Sequence, residues 1–209
     1  MPLQNRVTPE GEIIETAARG TLMGNRGGML HRPDKTLGLK RWINKSWISC
    51  RLQFKGRWRE VMGPDSYTEL FFLDEATALA AGHRPCYECR RNDATWFAEL
   101  WGKALAEGRR AKASEIDGVL HEERLTADGA KATFRSIVGD LPTGVMVRWN
   151  GACYLVFGRR LMLWSPERYV RAVDVPIDQV VDVLTPRSIV EVIRAGYDPD
   201  IHGSVLELA

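Results

Sequence analysis

The chain has 209 residues, of which 44% are hydrophobic and 27% are charged, and its formal net charge is only +2. This length and composition are typical of a soluble globular protein with one sizeable core or two small ones. No apolar run approaches the roughly 18 residues that span a membrane, and the amino terminus lacks the apolar block of a signal peptide. With only four cysteines, we expect a reduced cytoplasmic protein with no membrane partner and no disulfide framework.

The charges are unevenly distributed along the chain. Residues 1–112 carry 19 Lys or Arg against 13 Asp or Glu, whereas residues 113–209 carry 10 against 14. The first 64 residues hold 12 basic and 5 acidic residues, and three tryptophans lie among them. Basic residues interleaved with aromatic ones suit a phosphate backbone and stacked bases. A solvated surface above core tryptophans gives the same pattern, so charge alone does not decide for nucleic acid.

We predict irregular structure for residues 1–40. The segment 19–31 carries four glycines, which permit tight turns and a close approach of the backbone to a ligand. Arg26 would supply charge if this loop cradled a phosphate, although the segment matches neither a Walker nor a Rossmann pattern. A purely structural loop is the simpler interpretation.

Strands are predicted from residue 47 onward. Residues 47–54 and 57–62 are rich in β-formers and flank a Lys-Gly turn, which predicts a hairpin. A further strand is predicted at residues 67–72, after a turn that contains Gly63 and Pro64.

Three helices are expected next. Asp74 is predicted to cap a short helix that stops at Gly82. After a cysteine-bearing turn, Asn92 or Asp93 is predicted to cap a longer helix, and a third helix is predicted at residues 114–125. The longer helix is predicted to bury its apolar residues at helical spacing, which are Trp96, Phe97, Leu100, Trp101 and Leu105.

The remainder of the chain favours β-structure. Asn150-Gly151 suits a type I′ turn between strands at residues 145–149 and 152–157, and a third strand at 161–164 would complete a meander. A strand at 180–184 leads into a last helix, in which Thr185 is the predicted N-cap and Pro186 the first helical residue.

These elements predict an α+β fold with two regions. Residues 1–111 would hold a zinc-binding region with a basic amino-terminal segment, made of the hairpin, the short helix, the cysteine turn and the longer helix. Residues 112–209 would hold a helix followed by a small antiparallel β-meander and a helix, packed separately or as one domain with the first region.

Cys86 and Cys89 are two residues apart on a turn shaped by Gly and Pro. This spacing lets two thiolates meet one tetrahedral ion, although redox pairs use it as well. A closed zinc site needs two more ligands. Cys50 is the leading third ligand, because a preceding strand can bring it against the turn. Either a further residue or a water molecule completes the site, and His83 and His31 are the leading candidates for a fourth protein ligand.

Two further residues are weaker candidates for that fourth position. Cys153 alternates with apolar residues along a predicted strand, which favours a buried core thiol. His202 lies in a polar carboxyl-terminal segment, with no nearby ligand pattern to support it.

The segment from about residue 50 to 91 resembles the zinc-binding module at the amino terminus of Ada-type DNA methylation repair proteins, and also related modules of some bacterial nucleases. The likeness is close over residues 71–91, where a short helix precedes an aromatic-Arg-Pro-Cys-x-x-Cys turn in that family; here His83 stands at the aromatic position. It is looser back to Cys50, since the family has Cys-x-x-x-Cys upstream and this chain has one cysteine there.

The resemblance implies a bacterial zinc protein that binds DNA. In Ada proteins a zinc-bound thiolate accepts a methyl group from a DNA phosphotriester, which would make Cys50 a nucleophile. Because the upstream cysteine pair is incomplete, we expect zinc in a structural role instead. The candidate phosphate contacts are Arg26, Arg84, Arg90 and Arg91. The last three would otherwise be surface charges or partners of Glu75 and Glu88.

Two alternatives remain open. The first is a hydrolytic enzyme that acts on nucleic acid, a nuclease or a base-removing enzyme, in which His121 and Glu122 perform acid–base work together with Arg26 or Asn25. A solvated helix face explains the same His-Glu pair. The second is a protein-interaction module that zinc merely stabilises. The oligomeric state is not readable from this sequence.

Overall fold

The computed structural model describes residues 1–58 and 60–208. These residues form an α+β fold with one mixed six-stranded sheet, one antiparallel six-stranded sheet and four helices. Among the described residues, no helix is long and apolar enough to cross a membrane. The predicted α+β class is confirmed.

The first sheet is built entirely from residues 4–85. Its strands are β1 (Gln4–Val7), β2 (Ile13–Glu15), β3 (Leu22–Asn25), β4 (Ile48–Arg51), β5 (Leu70–Phe72) and β6 (Arg84–Pro85). The spatial order is β2-β1-β5-β3-β4-β6. β1 runs parallel to β5 and β4 runs parallel to β6, while the other neighbours are antiparallel.

The second sheet follows the predicted meander and extends it on both sides. Its strands are β7 (Phe134–Ile137), β8 (Met146–Trp149), β9 (Ala152–Phe157), β10 (Arg160–Trp164), β11 (Tyr169–Asp174) and β12 (Val180–Val183), in the order β11-β10-β9-β8-β12-β7. The tight turn between β8 and β9 is confirmed, since Asn150 and Gly151 have φ angles of 48° and 76°. β7 and β11 were not predicted.

The helices are α1 (Glu75–Ala80), α2 (Arg91–Leu105), α3 (Ala113–Arg124) and α4 (Arg187–Arg194). The Asp74 cap of α1 is confirmed, because its side chain accepts from Thr77 N at 2.9 Å. Thr185 does not cap α4; its hydroxyl accepts from Met146 N at 2.9 Å and so joins the helix entry to β8.

A helix follows the cysteine turn as predicted, but two details of the prediction for α2 are wrong. Arg90 is the N-cap rather than Asn92 or Asp93, because the cysteine turn closes directly into the helix through a bond from Arg90 N to Cys86 O. Trp96 and Leu105 are exposed, whereas the other three apolar residues at helical spacing are buried.

Two predictions for the first half are wrong. The strand at residues 47–54 has no hairpin partner at 57–62, since no described residue between 52 and 69 is in a strand; Arg59 lies outside the described residues. Residues 1–40 contain three strands rather than irregular structure. A side chain at Gly24 would collide with the Ile48 carbonyl, so this glycine permits close strand packing rather than a loop.

Helix α1 is buried along its whole length between the two sheets. Its residues belong to three apolar clusters: Ala78 packs with the first sheet, Ala76 and Ala80 pack with the second, and Leu79 joins a cluster that α2, α3 and α4 form with other residues of the second sheet. The last two clusters draw side chains from both sides of residue 112. The division of the chain at residues 111 and 112 remains a prediction.

A buried carboxylate fixes the first turn of α1. Glu75 Oε1 accepts from Arg90 Nη2 and from the Tyr197 hydroxyl, each at 2.7 Å, and Oε2 accepts from Asp200 N at 3.1 Å. Burial raises the pKa of Glu75 although Arg90 opposes that rise. The predicted alternative that Arg90 pairs with Glu75 is confirmed, and the pair ties α1 to the start of α2.

Replacement of Glu75 by Gln should destabilise the fold, because the buried Arg90 charge loses its buried partner and keeps only the more exposed Asp93 carboxylate, 2.9 Å away. Loss of one member of a buried ion pair costs about 3–5 kcal/mol. Urea unfolding followed by circular dichroism measures the change, and Glu99→Gln on the exposed face of α2 should remain within about 0.5 kcal/mol of the native chain. Similar losses in both variants would contradict the role assigned to Glu75.

Candidate metal centre

Three cysteines from separate parts of the first half meet at one point. Cys50 lies on β4, Cys86 directly follows β6, and Cys89 lies in the turn before α2. Their Sγ atoms all lie within 4.8 Å of one another. The parallel pairing of β4 with β6 produces this arrangement. At the end of this pairing, Cys86 N donates a backbone hydrogen bond to Ser49 O at 3.0 Å.

Backbone amides support two of the sulfurs. Cys86 Sγ accepts from Glu88 N, and Cys89 Sγ accepts from Arg51 N, each at 3.4 Å. Amide donors directed at sulfur favour the thiolate over the thiol. The turn and the neighbouring strand therefore stabilise negative charge at both sulfurs.

Hydrogen bonds among the three cysteine side chains shift their pKa values in opposite directions. The hydrogen bond from the Cys50 thiol is the main cause that lowers the pKa of Cys86 to about 5, and the same bond lowers the pKa of Cys89. The pKa of Cys50 is raised, because its proton bonds both neighbours and because the thiol is buried. The cluster thus retains a proton that a metal cation would displace.

The donor set fits a tetrahedral ion. Zinc–sulfur bonds are about 2.3 Å long, which places two sulfurs on one zinc about 3.8 Å apart. The cysteine sulfurs, within 4.8 Å of one another, need only a small contraction to reach that separation. This buried cluster could therefore hold a metal ion, with three protein ligands and one position left for another ligand.

Neither histidine proposed as the fourth ligand lies in this cluster. The His83 ring packs against Trp47 and Phe72, with centroids 5.1 and 4.7 Å away, and its Nε2 accepts from Arg26 Nε at 3.3 Å. His31 lies 2.7 Å from the Thr68 hydroxyl through Nδ1 and 3.1 Å from the Gly63 carbonyl through Nε2. Both rings are held away from the cysteines by these contacts, although the buried Nδ1 of His83 has no hydrogen-bond partner among the described residues.

The two weaker candidates are also distant from the cluster. Cys153 lies on β9 in the second sheet, where burial raises its pKa to about 12. His202 lies near the carboxyl terminus and its Nδ1 contacts the Ser204 hydroxyl at 2.8 Å.

The cysteines form part of the wall of a groove of about 430 Å³ on one face of the first sheet. Four aromatic residues line it: Phe54, Trp58, Tyr67 and Phe71. The Trp58 side chain is 87% exposed. Arg51 and Arg57 also line the groove, and Arg57 pairs with Glu88 at 2.7 Å on the surface.

Three of the four arginines predicted to contact phosphate are buried in the protein. Arg84 forms two 2.8 Å bonds to Asp117, Arg90 pairs with Glu75, and Arg26 stacks on Trp47. The prediction that these three arginines contact nucleic acid at the protein surface is therefore wrong. Arg91 is exposed at the start of α2 and remains a candidate.

The predicted acid–base pair is not assembled with other catalytic groups. His121 Nδ1 lies 3.1 Å from Arg124 Nη2, and its ring contacts the edge of Trp42. Burial and the Arg124 charge lower the pKa of His121. Glu122 is exposed, while Asn25 lines the cysteine groove. An arginine, rather than a carboxylate, is the close partner of this histidine.

The aromatic groove could not be recognised from the sequence. Its residues Phe54 and Trp58 fall in the segment predicted as a hairpin, where large apolar side chains are expected to be buried. The available signal was the interleaving of Trp58 with Lys55 and Arg57, which is typical of an exposed binding segment.

Comparison with models of known protein families, with curated proteins and with solved structures gives no match. The chemistry of this centre must therefore be inferred from its own residues.

The purified chain should carry one metal ion, and Cys50→Ser should reduce that content well below one per chain, because only two thiolates would remain. Elemental analysis after gel filtration measures the metal. Cys153→Ser is the matched control and should retain full metal content. Full metal in Cys50→Ser would show that Cys50 is not a ligand.

Proposed function

We propose that this chain is a zinc protein that binds nucleic acid, DNA in the first instance, along the groove beside its three cysteines. The observation that carries the proposal is the placement of the cysteine cluster, the exposed Trp58, three half-buried aromatic rings and basic side chains on one face of the first sheet.

Zinc is the metal that the donor set favours. Thiolate ligands select zinc or other soft ions over magnesium and calcium, and zinc takes tetrahedral sulfur sites in structural modules. The resemblance to Ada-type modules, which is close around Cys86 and Cys89 and looser at Cys50, also favours zinc. Bound there, the ion would hold β4 to the turn before α2 and so stiffen one wall of the groove.

The groove surface suits unpaired bases more than a closed duplex. Trp58 is 87% exposed, and large exposed aromatic side chains commonly mark a binding surface. Base stacking on aromatic rings is worth about 1–3 kcal/mol per base. The guanidinium of Arg57 and the ammonium of Lys55 lie 5.5 and 5.1 Å from the Phe54 ring. Both cations could therefore bind the phosphates of a nucleotide whose base stacks on Phe54.

Hydrolysis is a second candidate function, because the proposed zinc ion has a fourth coordination position that no cysteine occupies. A zinc ion with three protein ligands can activate water, but a general base is then needed. Glu69 already accepts from Met62 N and from the Ser66 hydroxyl, each at 2.7 Å, and Glu88 pairs with Arg57. Both groove carboxylates are engaged, so binding is better supported than hydrolysis.

A protein-interaction module is the third candidate. The exposed aromatic rings suit a peptide as well as a base, but the basic side chains among them would favour a partner rich in phosphate or carboxylate groups. The salt dependence of nucleic-acid binding separates the two cases, because release of phosphate counterions gives a steep linear slope.

Binding to labelled single-stranded and duplex DNA across a salt series should show measurable affinity at low salt and a negative slope of log K against log salt. Fluorescence anisotropy measures both. Absence of binding at low salt, or a flat salt dependence, would contradict the proposal.

Trp58→Ala should weaken binding to single-stranded DNA roughly tenfold or more, since it removes one stacking platform. Trp96→Ala on α2 is the matched control, because Trp96 is also exposed but does not line the groove. Equal losses in the two variants would place the interface elsewhere.

A further inference from the structure

A second, smaller cavity lies on the other face of the first sheet. Side chains alternate along a strand, so Ile48 and Cys50 face the cysteine groove while Trp47 points the opposite way. Trp47 lines a cavity of about 70 Å³ together with four basic residues: Arg26, Arg41, Arg124 and Lys131.

Two guanidinium groups stack on the same indole. The Cζ atoms of Arg26 and Arg124 lie 4.0 and 3.9 Å from the Trp47 ring centroid. Both arginines are almost completely buried, at 2% and 1% exposure. Attraction to the ring partly compensates each charge, but it neutralises neither.

None of the four basic groups has a carboxylate within 4.0 Å among the described residues. Arg26 donates to neutral acceptors, which are His83 Nε2 and the carbonyls of Gly11 and Arg41. Buried charges in proteins are normally paired. This group of cations is therefore an exception that needs an explanation.

The buried Arg124 and the half-buried Lys131 are also bonded only to neutral acceptors. Arg124 donates to the carbonyls of Gly82 and Lys45, and Lys131 donates to the carbonyl of Ala80. The Nε of Arg124 is buried without any acceptor. One donor is thus left unpaired beside the cavity.

The two acidic residues at the cavity do not balance the charge. Glu10 is bonded to Arg148 at 3.0 Å, and Glu12 is exposed. Burial, and then repulsion from Arg26 and Arg124, lowers the pKa of Lys131 to about 7. Burial is also the main cause that lowers the pKa values of Arg26 and Arg124 to about 9.

We infer that this cavity binds a single phosphate group, either as the free ion or as the terminal phosphate of a nucleotide. A tetrahedral oxyanion would accept from donors of Lys131, Arg26 and Arg41, which line the cavity, and it would supply the missing countercharge. The cavity, at about 70 Å³, is far smaller than the roughly 300–1,000 Å³ of pockets that enclose whole organic ligands, so it suits one phosphate group rather than a nucleoside.

This site does not depend on the proposed function, because it lies on the opposite face of the sheet from the cysteine groove. A nucleotide would place its phosphate in the cavity and its base outside, toward the exposed side chain of Arg41.

Thermal unfolding of the full chain, in inorganic phosphate or in chloride at equal ionic strength, tests the inference. Phosphate should raise Tm saturably, by about 5–10 °C at a hundredfold excess over Kd. Tryptophan fluorescence should change over the same concentrations, because Trp42 and Trp47 line the cavity. Equal Tm values in phosphate and chloride, with unchanged fluorescence, would overturn the inference.

The Lys131→Met variant distinguishes phosphate binding in this cavity from a nonspecific effect of phosphate on Tm. It removes one unpaired charge, so Tm in chloride should rise or stay unchanged while the response to phosphate is lost. Lys103→Met on the exposed face of α2 should keep the native response. Arg41→Ala, at the exposed edge of the cavity, should weaken phosphate binding without affecting the core. A native phosphate response in both Lys131→Met and Arg41→Ala would overturn the inference.

Adenosine monophosphate and adenosine distinguish the two sources of the phosphate group. A stronger response to the monophosphate than to inorganic phosphate, with none to adenosine, supports a terminal nucleotide phosphate. A response to inorganic phosphate alone supports the free ion. A response to adenosine equal to that of the monophosphate would contradict a phosphate site.

Discussion

The parallel pairing of β4 with β6 is the constraint on which both sites depend. Arg84 N donates to Trp47 O, and Cys86 N donates to Ser49 O, so two short segments far apart in sequence are held in one register. On one face this register brings Cys50 to the Cys-x-x-Cys turn. On the other face it places the Trp47 ring in contact with the His83 ring and with the guanidinium groups of Arg26 and Arg124. A shift by one residue would exchange the two faces and dismantle both arrangements.

Helix α1 connects the first sheet to the rest of the molecule. It is buried between the sheets, and the carboxylates at its start bind groups distant in sequence: Asp74 accepts from Tyr169 and Glu75 accepts from Arg90 and Tyr197. Arg90 also donates to the Ser49 hydroxyl at 3.0 Å, which connects the helix to the strand that carries Cys50. The cysteine centre is thus coupled to the core, although the groove beside it is open to solvent.

The sequence predicted those features whose signals are local. The Asp74 cap, the Asn150-Gly151 turn and the three cysteines of the cluster depend on residue type and short spacing. Partners distant in the chain were not predictable: β4 pairs with β3 and β6 rather than forming a hairpin, and Arg84 is neutralised by Asp117, which is 33 residues away. Arginines that appear as surface charge in a composition count are buried here, because their countercharges and aromatic partners come from other elements.

We propose that Cys50, Cys86 and Cys89 bind one zinc ion and leave its fourth position to a ligand from outside this cysteine set. X-ray absorption at the zinc edge of the purified chain tests this proposal most directly, since it distinguishes sulfur from lighter neighbours. We expect three sulfur atoms at about 2.3 Å and one oxygen or nitrogen atom at about 2.0–2.2 Å. A shell of four sulfurs, or of two or fewer, would contradict it.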